Sequence, residues 1–283
     1  MLKSSGMPIR LIALDLDGTL LNSRSEVSPA NREALIAATD RGVCIAVVTG
    51  RRSHSAQKYI QQIPCPVTLI SSNGALITSP TGEIIYRDFL PREIARQVLI
   101  ATRAFRDYGA ALFDVPGRGQ ILMQDTAVTE GPLNWYLTQS ADCLQLVPDL
   151  EAILSTDPIQ VLFGGPPALV EQIEPLIRES AVAGQVHLTW TKYLLRNVSL
   201  LDVMNRDCTK GSALARWTRH CGISPSEVMA IGDNHNDFEM LQFAAMPVLM
   251  ANSSPGLESN GWQRTLSNDQ DGVAAAIRSY VLQ

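Results

Sequence analysis

Two aspartates separated by a single residue stand near the start of the chain, directly after an apolar run. Asp15 and Asp17 follow Leu11–Leu14, and Gly18 comes next. Two carboxylates at this spacing offer the hard oxygen ligands that Mg²⁺ prefers, and a carboxylate can also attack phosphorus. Such an attack brings two anions together, so a metal ion and a cation must offset their repulsion. The pair therefore predicts metal-assisted chemistry on a phosphate group, with glycine permitting the turn after the strand.

Similar polar groups follow other apolar runs farther along the chain. They are Thr49-Gly50-Arg51, Ser71-Ser72-Asn73-Gly74 and Gly232-Asp233-Asn234-His235-Asn236-Asp237. Hydroxyl and backbone N–H groups in such segments can bind phosphate oxygens, and further carboxylates can complete a metal site. Lys210, at the start of a predicted helix, can supply the cation. Because the two aspartates and these three segments each follow an apolar run, we expect them to converge on one site.

The apolar runs indicate the fold that would bring these groups together. They are Leu11–Leu14, Cys44–Val48, Val67–Ile70, Val228–Ile231 and Pro247–Met250. They lack polar alternation, which is typical of strands buried on both faces of a parallel sheet. Helical patterns separate most of them, for example after Ser28-Pro29, so the sequence predicts an α/β fold with a doubly wound, Rossmann-like parallel sheet. Ligands of such sheets bind at the carboxyl ends of the strands, where the polar groups stand.

The middle of the chain shows a different pattern, which predicts a separate domain. Gly74–Tyr86 is typical of a hairpin around Pro80-Thr81-Gly82. Beyond it, short strands and helices alternate irregularly, including a helix over Pro167–Glu179 and a strand over Leu194–Ser199. We therefore expect a core formed by residues 1–84 and 196–283, with an inserted α+β domain over residues 85–195.

Composition and charge narrow the classes of protein. A chain of 283 residues with 46% apolar residues can form two folded domains. Its net charge of -5 and the lack of a basic stripe argue against a nucleic-acid partner. No apolar stretch has the length of a membrane span, and Met1–Arg10 lacks the apolar centre of a secretory signal. With cysteines that are scattered and lack metal-binding spacing, a cytoplasmic location is expected.

The motifs, taken in order, resemble those of a known family. The chain is similar to phosphatases of the haloacid dehalogenase superfamily, and within it to the Cof-type hydrolases. The segments that carry the resemblance are Asp15–Leu21, Thr49–Arg51, Lys210-Gly211, Gly232–Asp237, Ser72–Ala75 and Ser267–Val273. They span nearly the whole chain, and the insertion resembles that family's cap domain in its position. The resemblance implies that the inserted domain sets substrate specificity.

The resemblance also implies roles for the acidic residues. Asp15 is similar to the family's nucleophile, and Asp17 to the general acid/base that protonates the leaving oxygen and then activates water. Mg²⁺ would be bound by the Asp15 carboxylate, the Asp17 backbone carbonyl and Asp233. Asp237 would orient Lys210 or metal-bound waters from outside this ligand set.

Other residues would bind the substrate. By resemblance, Thr49 donates its hydroxyl to the phosphoryl oxygens, and Lys210 offsets charge on the nucleophile and the phosphate. The remaining candidates for contacts with phosphate or substrate are Gly18, Gly50, Arg51, Asn73, Gly74 and Asn236. Two stretches depart from the family pattern, Met250-Ala251-Asn252-Ser253 and Gly261-Trp262, and both lie outside the catalytic set.

The expected activity is a magnesium-dependent phosphatase that acts on small phosphorylated metabolites, such as sugar phosphates, nucleotides or cofactor phosphates. A sugar phosphomutase and a non-catalytic phosphosugar-binding protein on the same fold are the alternatives. The presence of Asp15, Asp17, Lys210 and Asp233 together argues against the binding protein, which would not need both a nucleophile and an acid. The physiological substrate stays open, as does the choice between a monomer and a homodimer.

Overall fold

A computed structural model describes residues 8–115, 117–125, 140–193 and 196–283. Residues 1–7 of the N-terminal segment considered above lie outside the described residues. The chain divides into two compact units: a core unit, Met1–Arg87 with Thr209–Gln283, and an inserted unit, Asp88–Cys208.

The second boundary between the units differs from the expected residue 196. The strand Val198–Asn205 is hydrogen-bonded within the sheet of the inserted unit, so the chain returns to the core unit only at Thr209. The first boundary, after Arg87, falls close to the expected residue 84.

The core unit is built on one sheet with helices around it. Its strands are β1 (Leu11–Leu14), β2 (Cys44–Val48), β3 (Val67–Ser71), β4 (Leu76–Thr78), β5 (Ile84–Arg87), β12 (Val228–Gly232), β13 (Met246–Leu249) and β14 (Gln263–Arg264). Its helices are α1 (Pro29–Asp40), α2 (Ser53–Ile60), α6 (Lys210–His220), α7 (Phe238–Phe243) and α8 (Gly272–Tyr280). No helix among the described residues combines the length and apolar composition needed to cross a bilayer.

The order of the strands creates a switch point beside β1. Within the described residues the sheet runs β14-β13-β12-β1-β2-β3-β4-β5, and all pairs up to β3 are parallel. The chain therefore passes from β1 to β2 and β3 on one side, and to β12 and β13 on the other. The predicted hairpin is confirmed by β4 and β5, which are antiparallel. The carboxyl ends of β1 and β12 lie side by side at the point where such folds bind ligands.

Apolar residues on both faces of this sheet explain why the strands have no polar alternation. Ile12 and Leu14 of β1 pack in one cluster, with residues of α1, α2 and α8. Leu11 and Ala13 pack in a second cluster, with residues of α6 and α7. Successive strand residues point to opposite faces, so helices on both faces require every position to be apolar. The predicted doubly wound α/β fold is confirmed.

The inserted unit contains a second, mostly antiparallel sheet. Its strands are β6 (Gly109–Leu112), β7 (Ile121–Gln124), β8 (Leu144–Val147), β9 (Gln160–Gly165), β10 (Val186–Tyr193) and β11 (Val198–Asn205). Its described helices are α3 (Arg92–Ala101), α4 (Pro167–Val170) and α5 (Ile173–Arg178). In the described part of the unit the sheet runs β10-β11-β9-β6-β7-β8, and β7 with β8 is the parallel pair.

Two local predictions in the inserted unit need correction. The helix expected over 167–179 is divided into α4 and α5. The strand expected over 194–199 begins only at Val198, because the preceding Asn197 is a turn residue with a φ of 50°. Leu194 and Leu195 lie outside the described residues.

Candidate active site

The ends of β1 and β12 place two aspartates beside each other. The backbone N–H of Asp15 donates to the carbonyl of Ile231 at 3.0 Å, so Asp15 continues the ladder between the two strands. Asp233 is the first residue after β12, and both carboxylates are buried. The positions of the two side chains are thus set by strand pairing, which agrees with the prediction that the polar groups meet at this edge.

Lys210 joins the nucleophile candidate to a third carboxylate. It is the first residue of α6, and Thr209 forms a capping box with Ser212 that fixes the start of the helix. Its Nζ donates to Oδ1 of Asp15 and to Oδ1 of Asp237, each at 2.6 Å. The lysine side chain is only 1% exposed, so these charge-assisted bonds are shielded from water.

Asp237 accepts hydrogen bonds through both of its oxygens. Oδ2 accepts from the backbone N–H of Asp233 at 2.9 Å and from that of Asn234 at 3.0 Å, while Oδ1 faces Lys210. Asp237 therefore contacts both the lysine and the loop after β12. That it supports the catalytic residues, as the resemblance implies, stays a prediction.

Burial and charge shift the proton affinities of this cluster. Burial raises the pKa of Asp15 from 3.8 to about 7; Lys210 partly offsets this, and Asp237 and Asp17 add to it. The pKa of Asp233 is also raised, first by burial and then by Asp15 and Asp237. Burial alone would lower the pKa of Lys210, but Asp15 and Asp237 outweigh it and raise the value. The single positive charge of Lys210 is therefore fewer than the negative charges that the three buried carboxylates carry when ionised.

The surplus negative charge fits a divalent cation. Asp15, Asp233 and Asp237 each offer a carboxylate oxygen, and these oxygens lie within 4.8 Å of one another. Thr19 donates from Oγ1 to Oδ1 of Asp233 at 2.9 Å and orients that carboxylate. A Cβ on Gly18 would lie 2.4 Å from Oδ2 of Asp233, so only glycine fits there. The oxygen donors and the buried negative charge are those that suit Mg²⁺.

The carboxylate of Asp17 has a different partner. Its Oδ2 accepts from Nε of Arg51 at 2.6 Å, and its Oδ1 accepts from the Nη2 group at 2.7 Å. This is a bidentate salt bridge between a planar guanidinium and a carboxylate, and the Asp17 side chain is 41% exposed. Asp17 therefore does not join the three-carboxylate cluster through its side chain. That arrangement is compatible with a metal contact through its backbone carbonyl.

The loops after β2 and β3 are tied together by backbone hydrogen bonds. Ser72 N–H donates to the carbonyl of Arg51 at 2.8 Å, and Asn73 N–H donates to that of Thr49 at 3.0 Å. The hydroxyl of Thr49, which is buried, accepts from the Arg51 N–H at 3.1 Å. Asn236 donates from its side chain to Oδ1 of Asn73 at 3.0 Å and connects the loop after β12. A Cβ on Gly50 would lie 3.0 Å from that same Oδ1.

Left-handed backbone brings this second loop against the lysine helix. Ser72, Asn73 and Gly74 have φ values of 51°, 52° and 108°. A Cβ on Gly74 would lie 2.3 Å from the carbonyl oxygen of Thr209, the residue before Lys210. Gly74 is therefore required by a close backbone approach, and contact with a phosphate stays a prediction for it.

Two asparagines that the sequence reasoning missed hold the loop after β1. Asn252 donates from its side chain to the carbonyl of Gly18 at 2.8 Å, and its Oδ1 accepts from the Asn268 N–H at 2.9 Å. Asn268 in turn donates to the carbonyl of Leu21 at 2.9 Å. Asn252 belongs to a stretch that departs from the family pattern, and no spacing rule signals its contact with Gly18. In the other departure, Trp262 packs on Phe238 with ring centroids 5.6 Å apart.

Comparisons with known proteins agree with this geometry. A family model described as haloacid dehalogenase-like hydrolase matches residues 12–277. An HMP-PP phosphatase of Serratia proteamaculans is 32% identical over 250 residues, 88% of this chain and 86% of that protein. The chloroplastic Endoribonuclease YBEY of Arabidopsis thaliana is 28% identical over 95% of this chain, which spans only 46% of that protein. A solved haloacid dehalogenase-like hydrolase from B. subtilis has a TM-score of 0.80 at 24% identity, covering 95% of this chain and 99% of that one, and shows the shared fold.

Proposed function

The chain belongs to the haloacid dehalogenase-like hydrolases, and on that premise we propose that it is a magnesium-dependent phosphatase of small phosphorylated metabolites, acting through an aspartyl-phosphate. The observation that carries this proposal is the buried lysine bridge, in which Lys210 contacts both Asp15 and Asp237 at 2.6 Å. A buried carboxylate held by a cation beside further carboxylates is equipped to approach a phosphate dianion.

In the first step, a carboxylate oxygen of Asp15 attacks phosphorus, and the bond from phosphorus to the leaving oxygen breaks. Asp17, which must be in its carboxylic acid form for this step, donates a proton to that oxygen, which leaves as an alcohol. Lys210 offsets the negative charge on Asp15 and on the phosphoryl group. The product of this step is a phosphoryl group bound to Asp15.

In the second step, water replaces Asp15 on phosphorus. Asp17, now a carboxylate, takes a proton from the water as it attacks, and the bond between Asp15 and phosphorus breaks. Inorganic phosphate is released, and both aspartates return to their starting states. One group can serve as acid and then as base because the first step leaves it deprotonated.

Mg²⁺ would supply the positive charge that one lysine cannot, and would neutralise phosphoryl oxygens. The Asp15 carboxylate, the Asp17 backbone carbonyl and Asp233 would bind it, as the resemblance implies. Asp237 is already engaged by Lys210 and by two backbone N–H groups, so we assign it to orientation of the site.

The phosphoryl oxygens would be bound by the loops at the strand ends. Thr49 is assigned as hydroxyl donor, and backbone or amide groups complete the set: Gly18, Gly50, Arg51, Asn73, Gly74 and Asn236. The leaving group would be a sugar, a nucleoside or a cofactor alcohol, chosen by the inserted unit. A cytoplasmic location and a monomeric or homodimeric state remain predictions.

A phosphate-release screen with Mg²⁺ over sugar phosphates, nucleotides and vitamin-derived phosphates tests the proposal. We expect turnover that EDTA abolishes and Mg²⁺ restores. Asp15→Asn is expected to reduce turnover at least about 10⁴-fold. Asp40→Asn, the same change at an exposed position in α1, is the matched control and should leave turnover intact.

Three outcomes would overturn the proposal. Undiminished hydrolysis by Asp15→Asn would remove the nucleophile assignment. Return of the phosphoryl group to another position of a sugar, without release of phosphate, would indicate the phosphomutase. Binding of phosphosugars without any turnover would indicate the non-catalytic protein.

A further inference from the structure

Arg51 contacts an aromatic ring as well as Asp17. Its guanidinium carbon lies 4.5 Å from the centroid of the Tyr59 ring. Tyr59 is in the last turn of α2, is 6% exposed, and belongs to the apolar cluster between the sheet and its helices. The ring is therefore held by core packing and forms a fixed surface against which the guanidinium rests. A cation over an aromatic face is attracted by the ring quadrupole.

The backbone of Arg51 is fixed from both sides. Its N–H donates to the Thr49 hydroxyl at 3.1 Å, and its carbonyl accepts from the Ser72 N–H at 2.8 Å. A long side chain still has several rotatable bonds beyond a fixed backbone. The Tyr59 ring restrains the far end of that side chain, at the group that forms both bonds to Asp17.

We propose that Tyr59 is a positioning residue for the proposed hydrolysis: its ring holds the Arg51 guanidinium in the plane that orients the Asp17 carboxylate. The inference rests on the proposed function, because the orientation of the Asp17 carboxylate matters to the rate only through its part as the acid and base of that reaction. Two parallel N–H···O bonds fix the orientation of a carboxylate, as a single bond would not. Small errors in the placement of an acid/base group reduce turnover without a matching effect on substrate binding.

The test compares two substitutions of Tyr59. Tyr59→Leu keeps apolar volume in the core and removes the ring face, and we expect kcat to fall about five- to tenfold. KM should change less than twofold. Tyr59→Phe keeps the ring and should stay within twofold of the wild-type kcat. Lys58→Gln is the control, since Lys58 Nζ lies 4.8 Å from the same centroid but Lys58 is exposed and bonds no catalytic group in the described residues.

A double-mutant cycle separates positioning from damage to the core. If the ring acts through Arg51, adding Tyr59→Leu to Arg51→Ala should lower kcat by less than twofold further. A loss of core packing would act equally in both backgrounds, and thermal midpoints measure that loss directly. Arg51→Lys should not recover the kcat lost in Arg51→Ala, because an ammonium group cannot form the bidentate salt bridge with Asp17.

The outcomes distinguish this inference from the proposed function. Equal losses of kcat from Tyr59→Leu in the wild-type and Arg51→Ala backgrounds would overturn the positioning role while leaving the phosphatase intact. A rise in KM without a change in kcat would also overturn it. Absence of magnesium-dependent turnover in the wild type would overturn the proposed function and the inference with it.

Discussion

The core unit and the inserted unit both bury polar side chains, but in different places. In the core unit the buried aspartates Asp15 and Asp233 stand just beyond the ends of parallel strands. In the inserted unit the buried side chains of Gln160 and Asp202 lie within strands β9 and β11, and the Gln160 amide donates a hydrogen bond to Oδ1 of Asp202. Parallel strands end at one edge and gather polar groups there. Neighbouring antiparallel strands end at opposite edges and disperse them.

One ion pair from each unit shows a further difference in burial. Lys210 and Asp15 are 1% and 7% exposed, whereas the Arg103–Glu151 pair of the inserted unit is 57% and 21% exposed. The attraction between two charges is stronger in the protein interior, whereas water screens the attraction of an exposed pair. The topology of a sheet therefore influences where charged groups can be buried together, and substitutions in each unit test this.

The largest difference should come from the two ion pairs. Lys210→Met removes the cation between Asp15 and Asp237, and we expect kcat to fall about 10²- to 10³-fold. Arg103→Met makes the equivalent change in the exposed pair and should leave kcat and the thermal midpoint close to wild type. Steady-state kinetics with Mg²⁺ and thermal unfolding measure both. Similar effects from the two substitutions would contradict the expected difference between the buried and the exposed ion pair.

Alanine substitutions at two glycines distinguish the cost of a left-handed backbone from a steric clash at the site. Gly18 and Gly82 have φ values of 83° and 87°, but only a Cβ on Gly18 meets a neighbour, Asp233, while nothing lies within 4 Å at Gly82. Both alanine variants should lose about 1–2 kcal/mol of stability from the left-handed backbone. Gly18→Ala should also weaken Mg²⁺ binding and kcat about 10- to 100-fold, because it displaces the Asp233 carboxylate. Metal titration compares the pair, and equal metal affinities would contradict the steric account.

The buried charge of the core unit should make stability depend on pH when no metal is bound. The pKa of Asp15 is raised from 3.8 to about 7, so the folded protein binds this proton more tightly than the unfolded chain does. The resulting stabilisation is complete below about pH 4 and is lost as the pH rises through about 7. Mg²⁺ should therefore raise the thermal midpoint more at pH 8 than at pH 5. Asp15→Asn should reduce this pH dependence in EDTA, and an unchanged profile would contradict it.

The smallest effect on the chemistry should come from the polar pair of the inserted unit. Gln160→Met keeps the side-chain volume but removes a donor to buried Asp202, which should cost about 1–3 kcal/mol of stability. Mg²⁺ affinity should not change, because none of the cluster carboxylates belongs to this unit. Gln145→Met, at an exposed position in β8 of the same sheet, should have no effect on the thermal midpoint. A loss of metal affinity in Gln160→Met would contradict the division of roles.

Sequence patterns predicted the core unit well because its signals are local. Leu11–Leu14 and Cys44–Val48 were predicted as strands from uninterrupted apolar residues, and the structure has β1 and β2 at those bounds. The convergence of Asp15 with Asp233 followed from one rule about the ends of parallel strands. In the inserted unit no such rule applies, and the strand over Val198–Asn205 could not be assigned to a sheet from its composition alone.

The partners of individual side chains were harder to predict. The pairing of Arg51 with Asp17, the support from Tyr59 and the bond from Asn252 to Gly18 depend on side-chain directions across 8 to 234 residues of sequence. Spacing places residues at an edge of the sheet, but it does not tell which neighbour a flexible arginine or an asparagine will choose.

The position of the insertion has a consequence for how the protein acquires its active site. Lys210 and Asp15 are 195 residues apart in sequence, and Thr19 and Asp233 are 214 apart. During synthesis β1 can pair early with β2, but it receives β12 only after residues 88–208 have been made. The inserted unit, whose sheet pairs fall within that continuous segment, can fold while Asp15 still lacks its lysine partner. We therefore expect the contacts around Asp15 and Asp233 to be among the last to form, since contacts between distant parts of a chain close late.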